Sequence, residues 1–142
     1  MTTIAVRNGV IAADSTINDG GLHVGRVVKL HRISCGVMAG AGDWIEIMMI
    51  RDWLDERGPG DKSPPEQLKG SKASILLLCN NGRLLCYEGQ SGFEIEAPFQ
   101  AIGSGSSIAL GAMAAGASAE RAVEIACEFD TTSGGPVATE KI

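Results

Sequence analysis

The chain has 142 residues and a net charge of −5, with 44% hydrophobic and 20% charged residues. That length suits a single domain spanning 1–142, which buries roughly 68–70% of the surface its unfolded chain would expose. The acidic balance and the lack of a basic run argue against nucleic-acid binding. No apolar run approaches the ~18 residues of a membrane span, and the start lacks the basic-then-apolar order of a signal peptide, so a cytoplasmic protein is expected.

In chain order, Ile4–Val6 and Val10–Ala13 are short apolar runs on either side of Asn8-Gly9. That dipeptide suits a type I′ turn, which needs positive φ at both central residues, so a hairpin is predicted that returns Asp14 to the neighbourhood of Thr2. Ser15 to Gly25 reads as a polar, glycine-containing excursion, and Arg26–Leu30 as an apolar strand with Lys29 inside it. Ser34–Ala39 is a further strand ending in Ala39-Gly40-Ala41-Gly42-Asp43, a strand-to-helix turn with Asp43 as N-cap and Glu46 at the third helical position. The helix from Trp44 to Arg57 is apolar on more than one face, and the surplus is expected to be covered by another subunit. Gly58–Lys72 is a proline- and glycine-containing loop. Ala73–Cys79 and Arg83–Tyr87 form a second hairpin about Asn81-Gly82, and Phe93–Ile102 holds one or two strands. Two helices follow: a small-residue one over Ser106–Ala115, and one capped by Ser118 with Ala122, Ile125, Ala126 and Phe129 at helical spacing. The order of elements predicts a sheet-rich α+β domain with helices outside.

Few residue types carry obvious chemistry. Cys35, Cys79, Cys86 and Cys127 lie in apolar segments without CxxC spacing and fit buried free thiols better than a metal site; His23 and His31 are isolated. No cofactor is implied. The amino end is more informative. Met before Thr is normally removed, which leaves Thr2 with a hydroxyl nucleophile and an α-amine of pKa about 7.7–8.0 on adjacent atoms. Lys29 in an apolar run is either a snorkelling edge residue or the partner of a buried carboxylate. In the second case, a Lys29–Asp14 pair would aim positive charge at Thr2 and favour the deprotonated hydroxyl and amine. Backbone N–H groups left open by the small-residue turn before Asp43 are material for an oxyanion hole.

Six features then stand in order: TTIAV at the start, Ala12-Ala13-Asp14, the lysine Lys29, Gly40-Ala41-Gly42-Asp43, Gly103-Ser104-Gly105-Ser106 opening a helix, and Asp130-Thr131-Thr132-Ser133-Gly134-Gly135 closing one. Together, from Thr2 to about Val137, they resemble the proteasome β-subunit superfamily, and within it the HslV-like peptidases. The resemblance implies the four-layer αββα sandwich of the N-terminal-nucleophile hydrolases, here with a reduced helical layer on one side, and a threonine endopeptidase. By position Thr2 would be the nucleophile and its amine the general base. Lys29 with Asp14 would lower the relevant pKa values. The oxyanion amide would fall at Gly40, or at Ala39 in the other alignment, and Ser104, Asp130 and Ser133 would orient the amine. Ile17, Val27 and Val37 are expected to wall an apolar specificity pocket.

The same resemblance implies a ring-shaped homo-oligomer acting on unfolded polypeptide, with an AAA+ unfoldase as a candidate partner. The chain departs from the family pattern twice. It carries Met1, which makes the Thr2 nitrogen an amide until removed. It also has room for one helix where the family has two between the Gly-rich turn and the next hairpin, in the layer that faces the ATPase or antechamber ring. A catalytically silent assembly protein with the same fold, and an amidase acting on a small molecule, are the alternative readings.

Overall fold

The computed structural model describes residues 2–60, 68–89 and 91–142. Its starting point is the hairpin of β1 (Thr3–Arg7) and β2 (Val10–Ala13), in which Asn8 (φ 53°) and Gly9 (φ 72°) take the two left-handed positions the turn demands. Ile4 pairs with Ala13, and the Asp14 N–H continues the ladder to the Thr3 carbonyl at 3.1 Å. The predicted excursion after Asp14 is instead a second hairpin, β3 (Thr16–Asp19) and β4 (Leu22–Arg26), turning at Gly20-Gly21. Lys29 is correspondingly not inside a strand: residues 27–29 link β4 to β5 (Leu30–Ile33), which pairs with β6 (Gly36–Ala41).

Helix α1 (Trp44–Arg57) starts as predicted. The Asp43 carboxylate accepts from Glu46 N at 3.0 Å, but the Glu46 side chain takes the Ser71 hydroxyl (2.7 Å) in place of a reciprocal cap. Part of the expected loop, residues 61–67, lies outside the described residues. Strands β7 (Ser74–Cys79), β8 (Leu84–Glu88), β9 (Ser91–Glu94) and β10 (Phe99–Gly103) follow. After them come α2 (Ser106–Ala114), α3 (Ala119–Phe129) and a last strand the sequence did not announce, β11 (Ala138–Lys141).

Two main sheets result, ordered β10-β1-β2-β11 and β5-β6-β7-β8-β9, with β3-β4 as a separate ribbon. Both sheets are covered on both faces, which is why their central strands read as unbroken apolar runs. The two-residue period sorts each run. Along β7, Ile75, Leu77 and Cys79 face α1, whereas Leu76 and Leu78 meet Ile4, Val6, Ile11 and Val37 between the sheets. On the far face, Ala5, Ala12 and Ala101 pack against Ala109, Met113, Ala122, Val123 and Ala126 of α2 and α3; small side chains let the helices lie close to the sheet. The layers are therefore α1, five-stranded sheet, four-stranded sheet, and α2 with α3. This is the expected αββα sandwich, with one helix on the α1 side among the described residues. Trp44 and Ile45 (70% exposed) leave part of α1's apolar surface uncovered, and Phe129, one of the apolar residues at helical spacing in α3, is also exposed.

Candidate active site

Every side chain of the site is fixed by an element end. Thr2 immediately precedes β1, in the middle of its sheet, and is buried together with Thr3. The β10–α2 turn passes so close that side chains are excluded from it: a Cβ at Gly103 would overlap the Thr2 carbonyl oxygen, and one at Gly105 the Thr3 hydroxyl. Two glycines around Ser104 are thus a steric requirement, and they bring Ser104 Oγ to 3.3 Å from the Thr2 nitrogen and 3.2 Å from its carbonyl oxygen.

Asp14, 1% exposed, ends β2. Its Oδ1 accepts from Lys29 Nζ (2.9 Å) and Thr3 N (3.0 Å), and its Oδ2 from Gly134 N (3.1 Å). Lys29, 5% exposed, points back from its linker so that Nζ also lies 3.2 Å from Thr2 Oγ1. A cation and a carboxylate this deeply withdrawn from water hold only because they meet each other and because the carboxylate's other lone pairs find donors. Of the two readings of Lys29, the snorkelling one is excluded by this geometry.

Beyond Ser104 lies a set of hydroxyls around one carboxylate. Asp130 Oδ2 accepts from Ser104 Oγ and Ser133 Oγ, both at 2.6 Å, and Oδ1 from Thr132 N (3.2 Å) and Thr132 Oγ1 (3.0 Å). Burial alone would raise the Asp130 pKa, but these donors, Ser104 first, prevail and hold it down at about 2, so the group stays ionised. Ser133 Oγ is also 2.8 Å from Thr3 Oγ1, which links the two threonines to the same carboxylate. Nearby, burial first and the Asp14 charge second push the Cys127 thiol up to about 11, which leaves it protonated and unreactive.

A cleft of about 230 Å³ opens beside Thr2 and Lys29, bounded by Thr16, Ile17, Asn18, Val27, Gly40, Gly42, Trp44 and Ile47. Ile17 and Val27 stand where the sequence suggested. Val37 does not: it is fully buried between the sheets, on the face of β6 opposite the one that meets α1, and this expectation is corrected. Gly40 borders the cleft while Ala39 is buried between the sheets, so Gly40 fits an oxyanion amide better. Pairing of β6 with β5 stops at Ala39↔Leu30, which leaves β5 short of the Gly40 edge.

No protein-family model matches the sequence, and no curated protein does. Solved structures match across nearly the whole chain. Eukaryotic HslV from Trypanosoma brucei superposes with a TM-score of 0.74 at 22% identity, covering 99% of this chain and 98% of that one. This is the HslV fold. BPH of Thiobacillus denitrificans shares it with a TM-score of 0.72 at 24% identity (99% and 96% covered), and the same protein in complex with epoxomicin matches at 0.72 and 23% (99% and 97% covered). Within the HslV fold, Thr2, Asp14, Lys29, Ser104, Asp130 and Ser133, each singled out in the sequence, stand as neighbours. The sequence reading missed Thr3, Asn18, Thr132, Trp44 and Ile47. For Thr3 the signal was present, as a second threonine beside the first, and Thr132 lay within the Asp130–Gly135 motif two residues from Asp130; Asn18, Trp44 and Ile47 are joined to the site only by long-range packing.

Proposed function

We propose that the chain is a threonine endopeptidase whose nucleophile is Thr2 once Met1 has been removed. The carrying observation is that Lys29 Nζ stands between Thr2 Oγ1 (3.2 Å) and Asp14 Oδ1 (2.9 Å) while the Thr2 nitrogen meets Ser104 Oγ. A scaffold has no use for a buried cation aimed at a hydroxyl.

In this reading the freed amine accepts the proton of Thr2 Oγ1 as the oxygen attacks a peptide carbonyl, and the Lys29 charge stabilises the developing alkoxide. The Gly40 amide receives the tetrahedral oxyanion. Collapse of that intermediate breaks the C–N bond, the proton passes from the Thr2 amine to the departing amine, and an ester remains on Thr2. Water, deprotonated by the same amine, then releases the acid and restores the hydroxyl. Asp14 pairs with Lys29 and holds it in place. Asp130, through Ser104 and Ser133, orients the amine.

The cleft walls Ile17, Val27 and Ile47 suit an apolar side chain next to the scissile bond. Self-assembly into a ring that encloses the sites and admits unfolded polypeptide accounts for the uncovered apolar surface of α1. Support also comes from the BPH structure of the same fold, which was solved with epoxomicin.

The test is intact-mass analysis before and after treatment with a peptide epoxyketone, a reagent that needs the hydroxyl and the free amine of one residue together. Loss of Met1 and a single adduct on Thr2 are expected, absent in Thr2→Ala and Lys29→Ala. A processed, assembled chain that takes no adduct overturns the proposal, and retention of Met1 in the assembled protein favours the catalytically silent assembly protein.

A further inference from the structure

We infer that Asn18 is a positioning residue: by holding the Thr132 carbonyl it fixes where Ser104 Oγ stands relative to the Thr2 nitrogen, and so joins the wall of the cleft to the proton-accepting end of the nucleophile. The inference rests on the peptidase function proposed above.

It begins with an irregularity in the pairing of β3 with β4. Ile17 pairs with Gly25 but Asn18 pairs with His23, so Val24 is passed over. The extra residue lies in β4 and breaks the regular ladder there; opposite it, the two consecutive β3 residues Ile17 and Asn18 both border the cleft. The Asn18 amide donates from Nδ2 to the Thr132 carbonyl, across 114 residues of chain. The orientation is chemically determined, because flipping the amide would set two oxygens against each other. Its Oδ1 is buried without a hydrogen-bond partner among the described residues. The donor end is thus the one that makes the polar contact.

Thr132 in turn touches Ser104, which meets the Thr2 nitrogen, and Asp130 behind it. Its Oγ1 lies 3.0 Å from Ser104 Oγ and 3.0 Å from Asp130 Oδ1. Ser104 Oγ has one proton and two lone pairs. With the proton on Asp130 Oδ2 (2.6 Å), one lone pair meets Thr2 N and the other faces Thr132 Oγ1, whose single proton is shared between Ser104 Oγ and Asp130 Oδ1, so a shift of Thr132 disturbs Ser104 either directly or through Asp130. The other end of this loop is already tied to the start of β3: Ser15 N donates to the Gly134 carbonyl (2.9 Å) and Ser15 Oγ to the Pro136 carbonyl (2.7 Å). Asn18 ties down the end that carries Thr132.

Two consequences separate this role from a merely structural one. An acceptor with a carboxylate behind it favours the protonated amine. Releasing Thr132 therefore lowers the amine's pKa, while spoiling the alignment of its lone pair with Thr2 Oγ1 lowers the limiting rate.

The experiment uses the full, Met1-processed protein and a peptide epoxyketone, with adduct formation followed by intact mass across pH. Asn18→Leu keeps the size of the cleft wall and removes the donor; Asn18→Ser is the second variant, too short to reach Thr132, should the first not fold. The limiting rate is expected to fall roughly ten- to a hundredfold. The acid limb should move to lower pH, and the half-saturating probe concentration should stay within about twofold. In a Thr132→Val background the Asn18 substitution should cost nothing further, because both act on the same contact. Wild-type rate and pH limb in the variants, losses that simply add, or an effect confined to half-saturation overturn the inference. A wild-type protein that takes no adduct overturns the peptidase reading itself, and this inference with it.

Discussion

Lys29 keeps its charge out of water because Asp14 is there, and the dependence is lopsided. Asp14→Ala strands a buried cation and should cost about 3–5 kcal/mol of stability, read as a fall in the urea midpoint, whereas Lys29→Met with Asp14→Asn should recover much of the loss. If Asp14→Ala unfolds at the wild-type midpoint, the pair does not support the fold. Asp130 gives a pH test. Its folded pKa of about 2 lies below the ordinary 3.8, so its contribution is complete above about pH 4 and is lost as pH falls through about 2. Asp130→Asn should flatten that limb of a stability-against-pH curve and change little of its shape above it; an unchanged acid limb would contradict the assignment. At this scale the sequence was informative wherever one residue violates a rule by itself. A lysine in an apolar run is either a snorkelling residue or the partner of a buried carboxylate, and Asp14 was the carboxylate at hand for the second reading. Asn18 and Thr132 break no rule locally. Their meaning arises from a hydrogen bond between distant segments, which no spacing reveals.

Among the elements, the junction of β6 and α1 shapes the cleft. A Cβ on Gly40 would come within 2.8 Å of Ile47 and 2.6 Å of Ile75, so the bare backbone at Gly40 is what lets Ile47 reach the cleft floor. Ile47→Ala should cost about 2–5 kcal/mol and deepen the cleft, so that epoxyketones with a longer apolar side chain beside the warhead gain in labelling rate relative to shorter ones. An unaltered ratio between long and short probes would show that Ile47 is not the floor. Elements with turn chemistry and apolar periodicity, such as the Asn8-Gly9 hairpin and α1 with its Asp43 cap, were legible. The β3–β4 ribbon was obscured because all of β4 is exposed, although Leu22 and Val24 alternate along it and Gly20-Gly21 was an available turn signal. Strand β11, Ala-Thr-Glu-Lys, has no apolar pattern at all; it exists because β2 offers an open edge.

For the whole molecule, the order of strands and helices reached a sheet-rich α+β domain with helices outside, whereas the four αββα layers came from the family resemblance; unbroken apolar runs mark sheets buried on both faces but not how those sheets stack. What one chain does not cover is equally physical. Leu22, Val24 and Val28 on or beside the β3–β4 ribbon, and Ile45 on α1, are each more than half exposed. If copies of the chain cover them, sedimentation should give a multiple of 14.7 kDa, and Ile45→Glu should shift the distribution toward the single chain; a wild-type protein that sediments as one chain at micromolar concentration would count against the ring. The sheet order has a further consequence, for biosynthesis. Strands β1 and β2 lie at the centre of their sheet, yet the strands that flank them, β10 and β11, are translated near the end of the chain. While the ribosome is still working, Thr2 has neither Ser104 nor Asp130 beside it. On the proposed function, a nascent chain therefore carries the Thr2 hydroxyl without the groups that would arm it.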